Sequence, residues 1–210
     1  MPRQSGLVPA AEGDVEFLPE FTAAEFVRGL ADFSHVWLVT GFHLNPLWDG
    51  SATVRPPRLG GNERVGVFAS RSPQRPNGLG LSLVELLEVK PGRLRVSGVD
   101  AVDGTPVYDV KPYLPWCEAK PDARSDWAKD EPSIRAAGDV VISPEVEREL
   151  PEAVATLVRQ LLGLNLQPAY QGSESERIYG MTVAGWNVRW RQRADRKVEV
   201  VEVRPVKSES

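Results

Sequence analysis

Four strand-like segments follow one another between Arg64 and Tyr113 with only tight turns between them, and this spacing constrains the fold more than any other feature. Arg64–Ser70, Leu81–Lys90, Arg93–Val102 and Val107–Tyr113 are rich in strand formers, while Pro91-Gly92 and Asp103-Gly104 supply turn chemistry. Two parallel neighbours need a crossover of about a dozen residues or more, usually a helix, and no such stretch exists here. A doubly wound parallel sheet is thereby excluded. Successive antiparallel strands predict a mainly β chain closed, or partly closed, into a barrel. Ser34–His43 is a further apolar run too short for a long helix, and Val15–Leu18 reads as an edge strand. Thr22-Ala-Ala-Glu25 has capping-box spacing and predicts a short helix from Ala23 to Leu30. Residues 44–64 carry Pro46, Gly50, Pro56, Pro57, Gly60 and Gly61, the chemistry of a long surface loop, and such loops are commonly functional.

The second half has a different texture. Residues 118–143 are polar and proline-containing and read as a linker or excursion. Ser143-Pro144 pairs a cap residue with proline at the first helical position. Val154, Leu157, Leu161 and Leu162 form an apolar stripe that stops at Gly163, and Pro151 divides the region into two short helices. Tyr179–Arg193 and Lys197–Arg204 are strand-like and meet at a turn over Ala194–Arg196. The chain therefore reads as a β-rich main domain over 1–140 and a small α+β domain over 141–210.

Bulk properties narrow the function. No apolar run approaches the roughly 20 residues of a membrane-spanning helix, and the N-terminus lacks the apolar stretch of a signal peptide. Cys117 is the single cysteine, which excludes an intrachain disulfide framework and a cysteine-rich zinc site. Together these predict a soluble cytoplasmic protein with no membrane partner. A net charge of −4 argues against nonspecific coating of nucleic acid, yet Arg55, Arg58, Arg64, Arg71 and Arg75 stand against one acid, Glu63, in a single stretch. An all-arginine cluster favours bidentate recognition of phosphate or carboxylate; a solvated face is the plainer alternative.

The common catalytic signatures are missing. Gly78-Leu-Gly80 lacks the third glycine of a dinucleotide fingerprint, and there is no Walker loop, HExxH or Gly-x-Ser-x-Gly elbow. His35 and His43 are placed on one face of one predicted strand, a structural arrangement more often than a metal site. What remains is a polar constellation. Arg71-Ser-Pro-Gln-Arg75-Pro-Asn77 is a turn stiffened by prolines, and period-two alternation sets Asp109, Lys111 and Tyr113 on one strand face. An acid, a base and a phenol side by side suit proton handling; a salt-bridged strand face is equally consistent with the spacing. Arg189, Arg191 and Arg193 alternate on a late strand, either as an RNA contact or as packing.

At these same residues the chain resembles a known family. Thr53-Val-Arg-Pro-Pro-Arg-Leu-Gly-Gly-Asn62, Val65–Ser72, Arg75-Pro-Asn77, Leu81–Glu85, Asp103-Gly-Thr-Pro106 and Asp109-Val-Lys-Pro-Tyr-Leu-Pro115 are similar to the TrmO tRNA methyltransferases, as are Pro2-Arg-Gln4, Phe33–Trp37, Phe42-His43, Pro168-Ala-Tyr170 and Asn187–Trp190. The resemblance implies a TsaA-like β-barrel main domain with a small α+β C-terminal domain, in an S-adenosylmethionine-dependent enzyme. It implies a homodimer that methylates N6 of N6-threonylcarbamoyladenosine at position 37 of tRNAs reading ANN codons. Carried over by motif, cofactor contacts fall on Pro2, Arg3, Gln4, His43, Leu44, Arg71, Leu81, Asp100, Ala101, Val102 and Asp103. Asp109, Lys111 and Tyr113 become the catalytic candidates on the acceptor side, and Arg55, Arg58, Arg75 and Asn77 the substrate-binding candidates. A noncatalytic nucleic-acid-binding barrel and a methyltransferase with another acceptor are the competing readings. Family members usually carry a further strand some 20 residues before the Pro-Arg-Gln motif. This sequence opens on that motif: either the start lies further upstream or the strand is lost, and loss would leave an unpaired sheet edge beside the cofactor contacts. Gly185-Trp186 stands where relatives tend to have Asp-Phe.

Overall fold

Alternation of apolar and polar residues is clearest in His35–Gly41 (β2), where Val36, Leu38 and Thr40 are buried and His35, Trp37 and Val39 are half-buried on the opposite face. This strand is the centre from which the first half is built. The computed structural model describes residues 4–56, 59, 63–129, 134–164 and 177–206, and the chain divides into two compact units, 1–129 and 130–210. In the first, Gly13–Glu16 (β1) precedes β2, and Thr53–Val54 (β3) pairs with Val65–Gly66 (β4). Leu79–Lys90 (β5), Arg93–Ser97 (β6) and Val107–Pro112 (β7) follow. Strands β1-β6-β5-β2-β7 form one sheet in that order, antiparallel throughout. It is a partly closed barrel that curls over a core of Val15, Val36, Leu38, Val84, Leu94 and Val96, and its outer strands among the described residues are β1 and β7.

Several expectations are corrected by local geometry. The helix over 23–30 is replaced by two 3-10 turns, Ala24–Val27 and Leu30–Asp32, because Gly29 adopts φ 81° between them. Thr22 does not cap: its hydroxyl donates back to the Pro19 carbonyl at 2.9 Å. Only Val65–Gly66 of the strand expected over Arg64–Ser70 is extended, and Val67–Ala69 turns as a 3-10 segment. The strand beginning at Arg93 ends at Ser97, not Val102, since Gly98 takes φ 78°. Strand β2 stops at Gly41, so His43 lies in the turn beyond it and does not share a strand face with His35.

In the second unit, Ser143 caps Pro144–Arg148 (α2), its hydroxyl accepting from the Val146 amide at 3.3 Å, and Pro151 introduces Glu152–Gly163 (α3). The buried face of α3 is Ala155, Val158, Leu161 and Leu162; Leu157 is only half-buried, one position off the predicted stripe. The expected strand over Tyr179–Arg193 is two strands, Ile178–Val183 (β9) and Trp186–Gln192 (β10), because Ala184-Gly185 forms a hairpin turn with both φ positive. Val140–Ile142 (β8), expected as linker, pairs in parallel with Val198–Pro205 (β11), completing a sheet ordered β8-β11-β10-β9. Its core joins Val140, Ile142, Val158, Leu162, Val188, Val198 and Val200. No helix among the described residues is long and apolar enough to cross a membrane.

Candidate active site

The register of β2 with its neighbours organises the outer face of the sheet into rows. Val39 lies opposite both Leu81 and Asp109, and Trp37 opposite both Leu83 and Lys111. His35 lies opposite Glu85, while its carbonyl accepts from the Tyr113 amide at 3.0 Å. Asp109, Lys111 and Tyr113 are thus gathered around the central strand as alternation requires. The Lys111 ammonium sits 2.9 Å from Asp109 Oδ2, and the other carboxylate oxygen accepts from the Val110 amide. The hydrogen bond from Lys111 holds the Asp109 carboxyl below its ordinary range, with the ammonium charge and the Val110 amide acting in the same sense. A carboxylate so held is ionised at neutral pH and is a weak base while its partner stays in place. Tyr113 is edge-on to Trp37 at 6.1 Å and to His35 at 6.4 Å, so its ring is wedged among aromatic neighbours.

The opposite face of the same strands is apolar except at one end, where Thr40 and Ser82 are buried. The Ser82 hydroxyl donates to Asp100 Oδ1 at 2.6 Å, tying the chain that leaves β6 to β5. Gly80 is required here: a Cβ would overlap the Thr40 hydroxyl and press on the Phe42 ring at 3.2 Å. The Phe42 amide donates to the Gly78 carbonyl at 2.8 Å, and a Cβ on Gly104 would sit 4.0 Å from His43 Nε2, which places the imidazole over the 103–104 turn. The segment preceding β1 is fastened along the 97–99 stretch. Gly6 donates to the Gly98 carbonyl at 2.9 Å, the Ser97 hydroxyl to the Pro9 carbonyl at 2.9 Å, and the Val99 amide to the Ala11 carbonyl at 3.0 Å. Val8 is fully buried beneath it. Gln4 is thereby delivered to Arg71, whose guanidinium donates to Gln4 Oε1 at 3.4 Å.

The 70–78 turn is self-bracing. Ser70 Oγ receives the Ser72 amide at 3.3 Å, Ser72 Oγ the Gln74 amide at 3.2 Å, and Arg75 reaches back to the Ser70 carbonyl at 3.5 Å. Asn45 donates to the Pro73 carbonyl at 3.2 Å and joins this turn to the segment after β2. Where β2 meets β7, a bulge between Val39 and Thr40 leaves Tyr108 as the extra residue, and its ring crosses Gly41. Bulges of this kind re-aim side chains beside active sites.

Among the candidate cofactor contacts, Leu81 is 60 % exposed on the outer face in the row of Asp109, whereas Asp100 is bound from the inner face by Ser82. Ala101, Val102 and Asp103 continue from Asp100 into the turn under His43, and Leu44 is exposed beside it. Arg55 and Asn77 are exposed, and Arg75 is half-buried. Pro2, Arg3 and Arg58, with Pro168–Tyr170, lie outside the described residues. Thr40, Gly80 and Tyr108 lie outside the family motifs, and Ser82 lies within Leu81–Glu85 without being singled out as a site residue. The available signal for Ser82 is a polar side chain at an inward position of an alternating strand. In the second unit, Arg189 faces Glu202 at 3.1 Å, Arg191 faces Glu199 at 2.8 Å, and Arg193, beyond the end of β10, faces Asp195 at 3.6 Å. That face carries both signs of charge instead of a bare basic stripe.

The residues fit S-adenosylmethionine chemically. Arg71 and Gln4 offer donors to a carboxylate, Asp100 and Asp103 offer acceptors to an ammonium or ribose hydroxyls, and Leu44, Leu81 and Val102 offer exposed apolar contact. Comparison with known proteins agrees. The family described as tRNA-methyltransferase O N-terminal domain matches residues 1–119, and the TrmO C-terminal domain matches residues 136–206. The chain belongs to the TrmO family. It is 42 % identical to the tRNA (adenine(37)-N6)-methyltransferase of Escherichia coli strain K12, covering 98 % of this chain and 91 % of that one. It is likewise 42 % identical to a Pseudomonas aeruginosa protein named putative S-adenosylmethionine-dependent methyltransferase RcsF, over 97 % of this chain and 90 % of the relative. A crystal structure of TrmO from P. aeruginosa superposes with a TM-score of 0.80 at 36 % identity, over 97 % of this chain and 88 % of that one. The fold of that structure is therefore shared by this chain.

Proposed function

We propose that this chain methylates N6 of N6-threonylcarbamoyladenosine at position 37 of tRNA, using S-adenosylmethionine, and does so as a cytoplasmic homodimer. Membership in TrmO supplies the reaction class, a tRNA N6-methyltransferase dependent on S-adenosylmethionine. The observation that carries the acceptor assignment is the exposed Asp109–Lys111 pair beside Tyr113. An N6 nitrogen bearing a carbonyl substituent and one hydrogen is a poor nucleophile until that proton is removed. Asp109 is ionised and placed to accept the proton, Lys111 to neutralise the charge that develops on the carbamoyl oxygen, and Tyr113 to orient the base. When the acceptor draws Lys111 away, the carboxylate regains basicity, which couples substrate docking to proton transfer. Arg75 or Arg55 suits the threonyl carboxylate. Bound S-adenosylmethionine supplies an electrophilic methyl group, and alignment of acceptor and donor contributes about 7–11 kcal/mol at best.

The homodimer is supported by the outer face, where Leu79, Leu81 and Leu87 are 45 %, 60 % and 44 % exposed on one strand. Apolar surface of that kind on a sheet face is suited to a second copy. The test is nucleoside mass spectrometry after incubation with S-adenosylmethionine and tRNA carrying the threonylcarbamoyl group. A product heavier by one methyl is expected. Methylation of tRNA lacking the threonylcarbamoyl group at the same rate would refute the acceptor assignment, and binding without turnover would return the noncatalytic reading.

A further inference from the structure

We infer that Glu118 is a positioning residue for the acceptor site, acting through Trp37 and Tyr113. The inference rests on the reading that Tyr113 lies on the acceptor side. Glu118 closes Pro115–Glu118 (α1), the single turn that follows β7 and Tyr113. Its two carboxylate oxygens meet two different donors. Oε1 accepts the indole Nε1–H of Trp37 at 2.9 Å, from a residue 81 positions away, and Oε2 accepts the Leu114 amide at 2.6 Å. Trp37 belongs to the central strand β2, and its ring stands 6.1 Å from that of Tyr113 at 72°. Tyr113 also meets His35 edge-on at 6.4 Å, and the Nδ1 of that imidazole is 2.9 Å from Ser34 Oγ. The carboxylate therefore clasps the backbone immediately after Tyr113 and the aromatic ring that walls Tyr113 in. Local satisfaction of the turn accounts for the Leu114 bond alone; the Trp37 bond is long-range and is not required to satisfy the turn's own backbone.

The chemistry of the clasp is specific to a carboxylate. Both partners are N–H donors, so both facing atoms must be acceptors. A glutamine offers one acceptor oxygen and one NH2, and that NH2 would confront a donor. E118Q should therefore lower kcat by on the order of tenfold, the worth of one charge-assisted hydrogen bond felt at the transition state. KM for S-adenosylmethionine should stay within about twofold, because the bonds of Glu118 run to Trp37 and Leu114, which are not cofactor candidates. Removing the indole donor with W37F relieves the conflict, since the glutamine oxygen then turns to the Leu114 amide. E118Q should cost less than about twofold in that background, although W37F itself lowers turnover.

The experiment is a double-mutant cycle on the full chain, E118Q and W37F singly and together, with kcat and KM measured for each substrate and Y113F run alongside. A readout independent of activity is the Trp37 indole N–H resonance, which E118Q should shift upfield as it loses its charged acceptor. Non-additive losses in kcat together with that shift support the clasp. Equal losses from E118Q with and without the indole donor, or an unmoved resonance, overturn it. If Y113F leaves kcat and tRNA KM untouched while the resonance still moves, the acceptor-side reading of Tyr113 fails instead, and Glu118 is left with no role in positioning the substrate.

Discussion

Gly98 is a position where a single added carbon should be costly. It ends β6 at φ 78°, the left-handed region that costs an L-residue roughly 1–2 kcal/mol. A Cβ there would also lie 3.1 Å from both the nitrogen and the Cα of Gly6. These are backbone atoms that cannot rotate aside, so the 4–11 segment must shift and weaken the Gly6 to Gly98 hydrogen bond, about 1 kcal/mol more. Gly98→Ala should thus destabilise by about 2–3 kcal/mol. Gly6→Ala is the internal control: its φ is 77°, but no atom lies within 4 Å of the added carbon, so strain alone applies. Urea unfolding of the two variants isolates the contact. Because the same segment carries Gln4 to Arg71, Gly98→Ala should also raise the Kd for S-adenosylmethionine by calorimetry, several-fold beyond the effect of Gly6→Ala. Equal stabilities for the two variants would refute the claim that close backbone approach is what demands glycine at 98.

Three further outcomes are expected. The Asp109 carboxyl is depressed by Lys111, so whatever stability its charge contributes is present above the ordinary carboxylate range and fades as pH falls through the lower folded value. The pH profile of kcat/KM for tRNA, which reports the free enzyme, should accordingly show no acid limb from Asp109 within the ordinary carboxylate range, and Lys111→Met should move such a limb upward. Ser82→Ala removes the 2.6 Å bond to Asp100 from a buried position and should cost roughly 1.5–3 kcal/mol, read by thermal denaturation, with weaker S-adenosylmethionine binding in the same sample. Val158→Ala opens space at a fully buried site on α3 and should cost about 2 kcal/mol with tRNA methylation at 25 °C unchanged, which separates packing from chemistry.

Much of the fold was legible because it depends on short-range chemistry. Pro91-Gly92 marks a hairpin wherever it falls between two apolar runs, and Gly92 does take φ 79° between β5 and β6. Ser143-Pro144 reads as a helix start for the same local reason, and the hydroxyl does cap the Val146 amide. The errors arose where a local signal met a tertiary competitor. Thr22-x-x-Glu25 has the spacing of a capping box, yet the chain must pass Gly29 into β2, and two 3-10 turns satisfy that path. Val140–Ile142 is too short to declare itself a strand, and becomes one only because β11 offers a parallel edge.

The candidate site divides along the same line. Period-two alternation alone determined that Asp109 and Lys111 share a face, since it is a property of any extended chain. The motifs themselves carried the family. Only the tertiary structure decided that Leu81 joins that face through Val39, that Asp100 is held from the opposite face by Ser82, and that Glu118 reaches Trp37 across 81 residues. Those relations depend on strand register, which is set by the turns, the bulge at Tyr108 and the burial of one sheet face all acting together. A linear sequence states the side of each strand on which a residue lies; which residues become neighbours is settled when the strands pair.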